Sequence, residues 1–261
     1  MNSIETNLTR WLNYYRENIG DFQLVETNYT ATFVNAKNKQ KFLTSEMPQK
    51  TFIAGALVKK DIKEWEKKNE RPPLVKPDYF SSKNKIPPFF AEKVYNIDIN
   101  GAYPNAAKKL GFISEKTFNY LMRVKKQNRL AALGMLASKK TITYYYNGDI
   151  SDVEIVENEL SAYFYAISRE IDDVMKNICH NLFSFVFYWF DGVYFTESFE
   201  INKVVKELDL KGYPYKIETL EQFSLKRKSY NILIEFYKDG KKKSFEIPDK
   251  HMINRLKQLT K

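Results

Sequence analysis

Two aspartates stand alone in apolar surroundings. Asp98 lies in YNIDINGAYP, from Tyr95 to Pro104 and just after Val94, and Asp191 lies in FSFVFYWFDGVYF, from Phe183 to Phe195. Both runs read as strands, and a glycine (Gly101 or Gly192) follows each aspartate closely. An ionised side chain in an apolar setting loses its hydration, which is costly. The cost falls where the carboxylate sits at the open end of a strand and holds a cation. Two lone carboxylates on neighbouring strand ends are what two-cation phosphoryl transfer requires.

Composition narrows the chemistry further. A single cysteine, Cys179, excludes an internal disulfide and a cysteine-based zinc cluster. The two histidines, His180 and His251, are far apart in sequence and argue against a histidine-rich metal site or a Ser-His-Asp triad. Lys and Arg number 42 against 32 Asp and Glu, a net charge of +10, which favours a polyanionic partner with nucleic acid first. The alternative is a generally lysine-rich surface. Aromatics reach 15%, enough for base-stacking platforms or simply for a core. The N-terminus is amphipathic without the apolar centre of a signal peptide, and no apolar stretch approaches the ~18 residues that span a bilayer. The expectation is a soluble, cytoplasmic protein with no membrane partner.

The elements around the aspartates follow from periodicity. Residues 1–20 read as a helix with Leu8, Trp11, Leu12 and Tyr15 on one face, and FQLVET, ATFVNA and TFIAGALV between 21 and 58 read as short strands. Asp61–Glu70 reads as a charged helix stopped by Pro72 and Pro73. The Pro-, Lys- and Ser-rich stretch from Arg71 to Pro88 reads as a linker, with a phosphate-touching basic loop as the other choice. Helices are expected over 105–110 and 115–139, a strand from Thr141, a turn at Asn147-Gly148, and a long helix over 157–181. The Asp191 segment should be a hairpin reversing near Phe190 to Gly192. A helix over 201–208 and strands from Gly212, Ser229 and Lys243 follow. Asp239-Gly240 is a hairpin turn signal, and a helix closes the chain over 251–260. The layout is α+β.

The string Asp98-Ile99-Asn100-Gly101-Ala102-Tyr103-Pro104 resembles the first palm motif of B-family DNA polymerases, D-x-x-S-L-Y-P, with Gly101 and Ala102 replacing Ser and Leu. Lys126 to Gly134 is similar to the fingers motif K-x-x-x-N-S-x-Y-G, although Leu130, Ala131 and Leu133 replace Asn, Ser and Tyr. Phe187 to Gly192 resembles Y-x-D-T-D-S, with Asp191 in the second aspartate's place and Trp189 in the first's. Lys228-Ser229-Tyr230 resembles the K-x-Y motif, with Lys226 and Arg227 beside it. The four matches fall in the family's order, from about Val94 to Tyr237.

The resemblance implies a polymerase palm with an antiparallel sheet and flanking helices, short helical fingers and a small C-terminal thumb-like region. The matching division is 1–90 for an N-terminal α+β region and linker, 91–103 for the first palm strand and 104–140 for the fingers. Residues 141–222 would be palm with the metal-binding hairpin, and 223–261 the primer-contacting, thumb-like region. It also implies that Asp98 and Asp191 hold two Mg²⁺ or Mn²⁺ ions, with the Ile99 carbonyl as an extra ligand. Lys126, helped by Arg123 on the same helical face, would neutralise triphosphate charge. Ile99, Asn100, Gly101 and Ala102 would line the nucleotide site, and Tyr103 would lie under the sugar and exclude a 2′-hydroxyl. Lys226, Arg227, Lys228 and Tyr230 would contact the primer–template.

The expected activity is template-directed addition of dNTPs to a primer 3′-hydroxyl. No proofreading domain is expected upstream of Asp98. The short fingers imply low processivity or help from a separate priming, clamp or exonuclease subunit, and their apolar surface implies modest fidelity. A phage or other mobile element is the expected setting. A primase-like or protein-primed enzyme that starts chains itself is the near variant. An inactive polymerase fold that binds nucleic acid is the alternative from another class.

Overall fold

The computed structural model describes residues 3–43, 49–76, 80–81, 87–229 and 231–248. Tyr230 and the helix expected over 251–260 lie outside them. The chain opens with α1 (Ser3–Asn18), strands β1 (Phe22–Glu26), β2 (Thr30–Val34) and β3 (Lys39–Leu43), and α2 (Gln49–Glu66). Strands β4 (Phe80–Ser81) and β5 (Phe89–Ile99) lead to α3 (Ala102–Lys109), α4 (Glu115–Arg123) and α5 (Lys126–Gly134). Next come β6 (Lys140–Tyr146), β7 (Asp149–Val156), α6 (Ser161–His180), β8 (Phe185–Trp189), β9 (Gly192–Phe195) and α7 (Ile201–Lys211). Strands β10 (Tyr215–Lys228), β11 (Asn231–Lys238) and β12 (Lys241–Pro248) follow. Among the described residues the protein is α+β, with two antiparallel sheets and seven α-helices. No helix among them is long and apolar enough to cross a membrane.

The chain forms two compact units. One joins the residues up to Val75 with Gly111–Tyr165, and the other joins Lys76–Leu110 with the residues from Ala166 onward. This differs from the five-part division expected from the motifs. Strands β6 and β7, expected in the palm, pair instead with the N-terminal strands in the order β3-β2-β1-β6-β7. Strands β11 and β12, expected in a separate thumb-like region, continue the sheet that contains β5.

In the first unit, strand alternation sends Phe22 and Leu24, Ala31 and Phe33, Phe42 and Tyr145 to one face, where α1 lays Leu8, Trp11, Leu12 and Tyr15 over them. Phe22 stacks on Tyr145 at 4.3 Å, and Tyr15 lies 4.6 Å from Phe33. Asn147 and Gly148, with φ of 50° and 82°, make the tight turn from β6 to β7. TFIAGALV is helical, not a strand. Its buried residues Thr51, Ala54, Gly55 and Val58, continued by Ile62, recur at helical spacing. That periodicity outweighs the β-branched and aromatic content. The helix expected over 115–139 is also broken. Val124 and Lys125 take extended dihedrals between α4 and α5, and the turn lets both helices pack on α2.

In the second unit the order is β12-β11-β10-β5-β9-β8-β4, with β5 in the middle. Val94, Asn96 and Asp98 share one face of β5, and Tyr95, Ile97 and Ile99 share the other. On the Ile97 face, Tyr188 donates a 2.5 Å hydrogen bond to Asp172 of α6. The opposite face carries a core that includes Val94, Phe187, Leu220 and Phe223. Asp98 therefore ends the row that runs from Val94 in this core through the buried Asn96 to the end of the central strand.

Candidate functional site

The main chain brings the two aspartates to adjacent strand ends. The Ile99 amide donates to the Asp191 carbonyl at 2.9 Å, and the Asn100 amide to the Pro214 carbonyl at 2.7 Å. Asp98 consequently stands opposite Gly192 on one side and Lys216 on the other. The chain then turns through Gly101, whose left-handed φ of 61° suits glycine, into α3. Asn105 secures that turn by donating to the Asn100 and Gly101 carbonyls, at 2.9 and 3.1 Å. Lys109, ion-paired with Glu170 at 2.8 Å, ties α3 to α6. Phe190, beside Asp191 in the β8–β9 turn, has φ of 54°, an uncommon conformation for a bulky side chain.

Charge is concentrated here. Lys216 Nζ lies 3.2 Å from Asp98 Oδ2 and 3.2 Å from Glu218 Oε1, and Glu218 is also paired with Lys238 at 2.5 Å. Burial by itself would lower the Lys216 pKa, but Asp98 and Glu218 more than offset it and hold the ammonium above its usual range. Burial would likewise raise Glu218, yet hydrogen bonds from Lys238 and Lys216 keep it below the usual carboxylate range. The Tyr194 phenol is pushed well above its ordinary value by burial, then by Asp98, Asp191 and Glu218. Three carboxylates thus act on one buried phenol.

The other oxygen of Asp98 faces a small cradle. A Cβ on Gly192 would come within 3.1 Å of Asn96 Oδ1 and 3.3 Å of Asp98 Oδ1, so both oxygens flank the space that glycine leaves open. Asn96 is only 6% exposed, and its Oδ1 accepts no hydrogen bond among the described residues. A buried acceptor without a partner costs about 1–3 kcal/mol. Hard oxygen donors of this kind suit Mg²⁺ or Mn²⁺. The cradle, the orphaned oxygen and the carboxylate fit a divalent cation.

Of the residues singled out in the sequence, Asp98, Ile99, Asn100, Gly101, Ala102 and Tyr103 form one strand-to-helix corner beside Asp191. Ala102 and Tyr103 are the first two residues of α3, the former buried and the latter half-buried. Lys126 and Arg123 belong to the first unit. They do not share a helical face, because Arg123 ends α4 and Lys126 begins α5. Lys226, Arg227 and Lys228 occupy the far end of β10. Its Leu225 is opposite Phe89, which is about 30 Å along β5 from Asp98 at about 3.3 Å per residue. Lys226 is ion-paired with Glu235, and Lys228 with Glu246 at 2.5 Å. Asn96, Tyr194, Lys216 and Glu218 were missed. Asn96 did leave a signal, since it is polar and two residues before Asp98 in YNIDI.

No family model matches the chain, and no curated protein matches it.

Proposed function

We propose that the strand-end site catalyses template-directed nucleotidyl transfer, as a minimal DNA polymerase with a B-family-like palm. The observation that carries this reading is the meeting of Asp98 and Asp191, distant in sequence, through the Ile99–Asp191 main-chain bond, with an orphaned oxygen beside them. Asp98, Asp191 and Asn96 would hold the cations. Bound Mg²⁺ would favour the primer 3′-alkoxide and offset charge on the triphosphate. Lys216 pairs with Asp98 Oδ2 and leaves Oδ1 turned to the cradle. Tyr103, at the start of α3, is the proposed sugar gate. Lys126, with Arg123, is proposed to meet triphosphate charge on the sequence resemblance alone.

A specific contact favours a second reading. The Lys216–Asp98 pair already supplies Asp98 with a cation from the chain itself, as an inactive nucleic-acid-binding platform would. One assay separates the two. A labelled primer–template is incubated with dNTPs and Mg²⁺ or Mn²⁺, and Asp98→Ala and Asp191→Ala are run alongside. The polymerase reading expects extension that each substitution lowers about a hundredfold or more, in keeping with several kcal/mol of cation-borne stabilisation. Retained DNA binding with no extension selects the second reading. Extension that survives either substitution removes that aspartate from the chemistry. Offering rNTPs to Tyr103→Ala tests the gate.

A further inference from the structure

The first unit carries a cleft that the strand-end site does not use. Its floor is the face of the five-stranded sheet turned away from the aromatic core. The register determines which residues stand there: Lys41 is opposite Thr32, Thr32 opposite Val25, and Val25 opposite Ile142. Opposed residues share a face, as do residues two apart on a strand, so Lys39 and Lys140 join Lys41. The intervening Phe22, Leu24, Phe33 and Phe42 belong to the core on the other side. Helix α2 forms a wall, presenting Phe52 and Lys59 at helical spacing. The cleft has a volume of about 440 Å³.

Lys39, Lys41, Lys59 and Lys140 all line it, and among the described residues no Asp or Glu does. Lys59 is half-buried. Burial lowers its pKa, and Lys41, Lys140 and Lys63 lower it further, so these ammonium groups feel one another. Like charges gathered in a concave, partly dry site repel, and they focus a field that draws in anions. Phe52, 60% exposed, and Tyr29 add aromatic surface to the same cleft.

We propose that this cleft binds the phosphates of a single-stranded nucleic acid, with bases stacking on Phe52 and Tyr29. Strand β3 is three strand spacings from β6, about 14 Å, so its lysines and Lys140 reach farther than one phosphate. An exposed aromatic beside a basic groove is how single strands are held without sequence preference. The site stands independently of the chemistry at Asp98.

The test uses the full chain and a fluorescent twelve-nucleotide oligo-dT carrying 5-iodouracil. Anisotropy titrations over a salt series compare it with Lys41→Glu/Lys140→Glu and with Lys41→Arg/Lys140→Arg. Thermal unfolding checks that each variant is folded. The expected result is at least about a tenfold loss of affinity in the glutamate pair, with a salt slope shallower by about 0.7 per lost contact. The arginine pair should bind like the parent. Photocrosslinks in the unmodified chain should map to the peptides containing Tyr29 or Phe52, a readout that holds even if the glutamate pair misfolds. Crosslinks confined to other peptides, or an unchanged slope in a folded glutamate pair, overturn the proposal. Loss of the Tyr29 and Phe52 crosslinks to an equimolar free nucleoside triphosphate also overturns it, by assigning the cleft to a mononucleotide.

Discussion

Replacing Asn96 with leucine should make the protein more stable and a poorer cation binder. Leucine keeps the γ-branched shape and removes the buried acceptor that lacks a partner among the described residues. Such an acceptor costs about 1–3 kcal/mol, and close packing over Gly192 takes back part of the gain, which leaves about 1 kcal/mol. In a domain of roughly 150–250 residues that is about 2–4 °C in Tm. A divalent cation at ten times its Kd stabilises the parent by about 1.4 kcal/mol. If losing one oxygen ligand weakens binding about tenfold, the same concentration adds only about 0.4 kcal/mol to the variant. The variant should therefore melt above the parent in EDTA, and the gap should close in Mn²⁺ or Mg²⁺. Tb³⁺ luminescence gives a direct reading, and there Asn96→Asp should bind more tightly than the parent. A leucine variant that melts lower in EDTA would show that the oxygen has an ordinary partner. An equal cation increment in both proteins, or weaker Tb³⁺ binding by the aspartate variant, would refute Asn96 as a ligand.

Other outcomes test the scaffold. Tyr188→Phe removes the hydroxyl that donates to Asp172, a carboxylate only 2% exposed, and should cost about 1.5–3 kcal/mol in urea denaturation. Burial alone would raise the Glu200 pKa, but Ser184, the Phe183 and Ser184 amides and Lys203 hold the carboxyl below its usual range. Its contribution is then present above the unfolded pKa of about 4.3 and is lost as pH falls through the folded value. Glu200→Gln should accordingly be destabilised relative to the parent at pH 7, by about 2 kcal/mol, with the difference shrinking in denaturation curves taken below pH 4 or so. Gly148→Ala would put a Cβ 2.6 Å from the Arg16 carbonyl oxygen at φ of 82°. It should cost about 2 kcal/mol or more in chemical denaturation, and a neutral result would mean that the turn relaxes freely.

Much of the site's frame could be read locally. The Asp98 strand, its glycine corner and the Asp191 hairpin rest on alternation and turn chemistry within a few residues. So do the turns at Asn147-Gly148 and at Asp239-Gly240, where φ is 53° and 70°. What escaped depends on distant partners. Lys216 and Glu218 gain meaning only from a register that sets them against Asp98 and Asn96. Strand β7 was passed over because its residues are almost all exposed, with the acidic sequence DISDVEIV and no buried face to impose alternation. TFIAGALV misled because its composition favours a strand while its burial follows a helix. The break at Val124–Lys125 carries no Gly or Pro to announce it.

The central place of β5 has a consequence for the newborn chain. Its two neighbours, β9 and β10, begin only at Gly192 and Tyr215. Synthesis at about 5–20 residues per second leaves both edges of β5 unpaired for on the order of 5–20 s. The first unit has all its segments by Tyr165 and can fold in that interval. Meanwhile β5 waits as an open template for mispairing, which its Glu92 and Lys93 oppose as charged gatekeepers. The strand that presents Asp98 thus has to wait until both of its partners have been made.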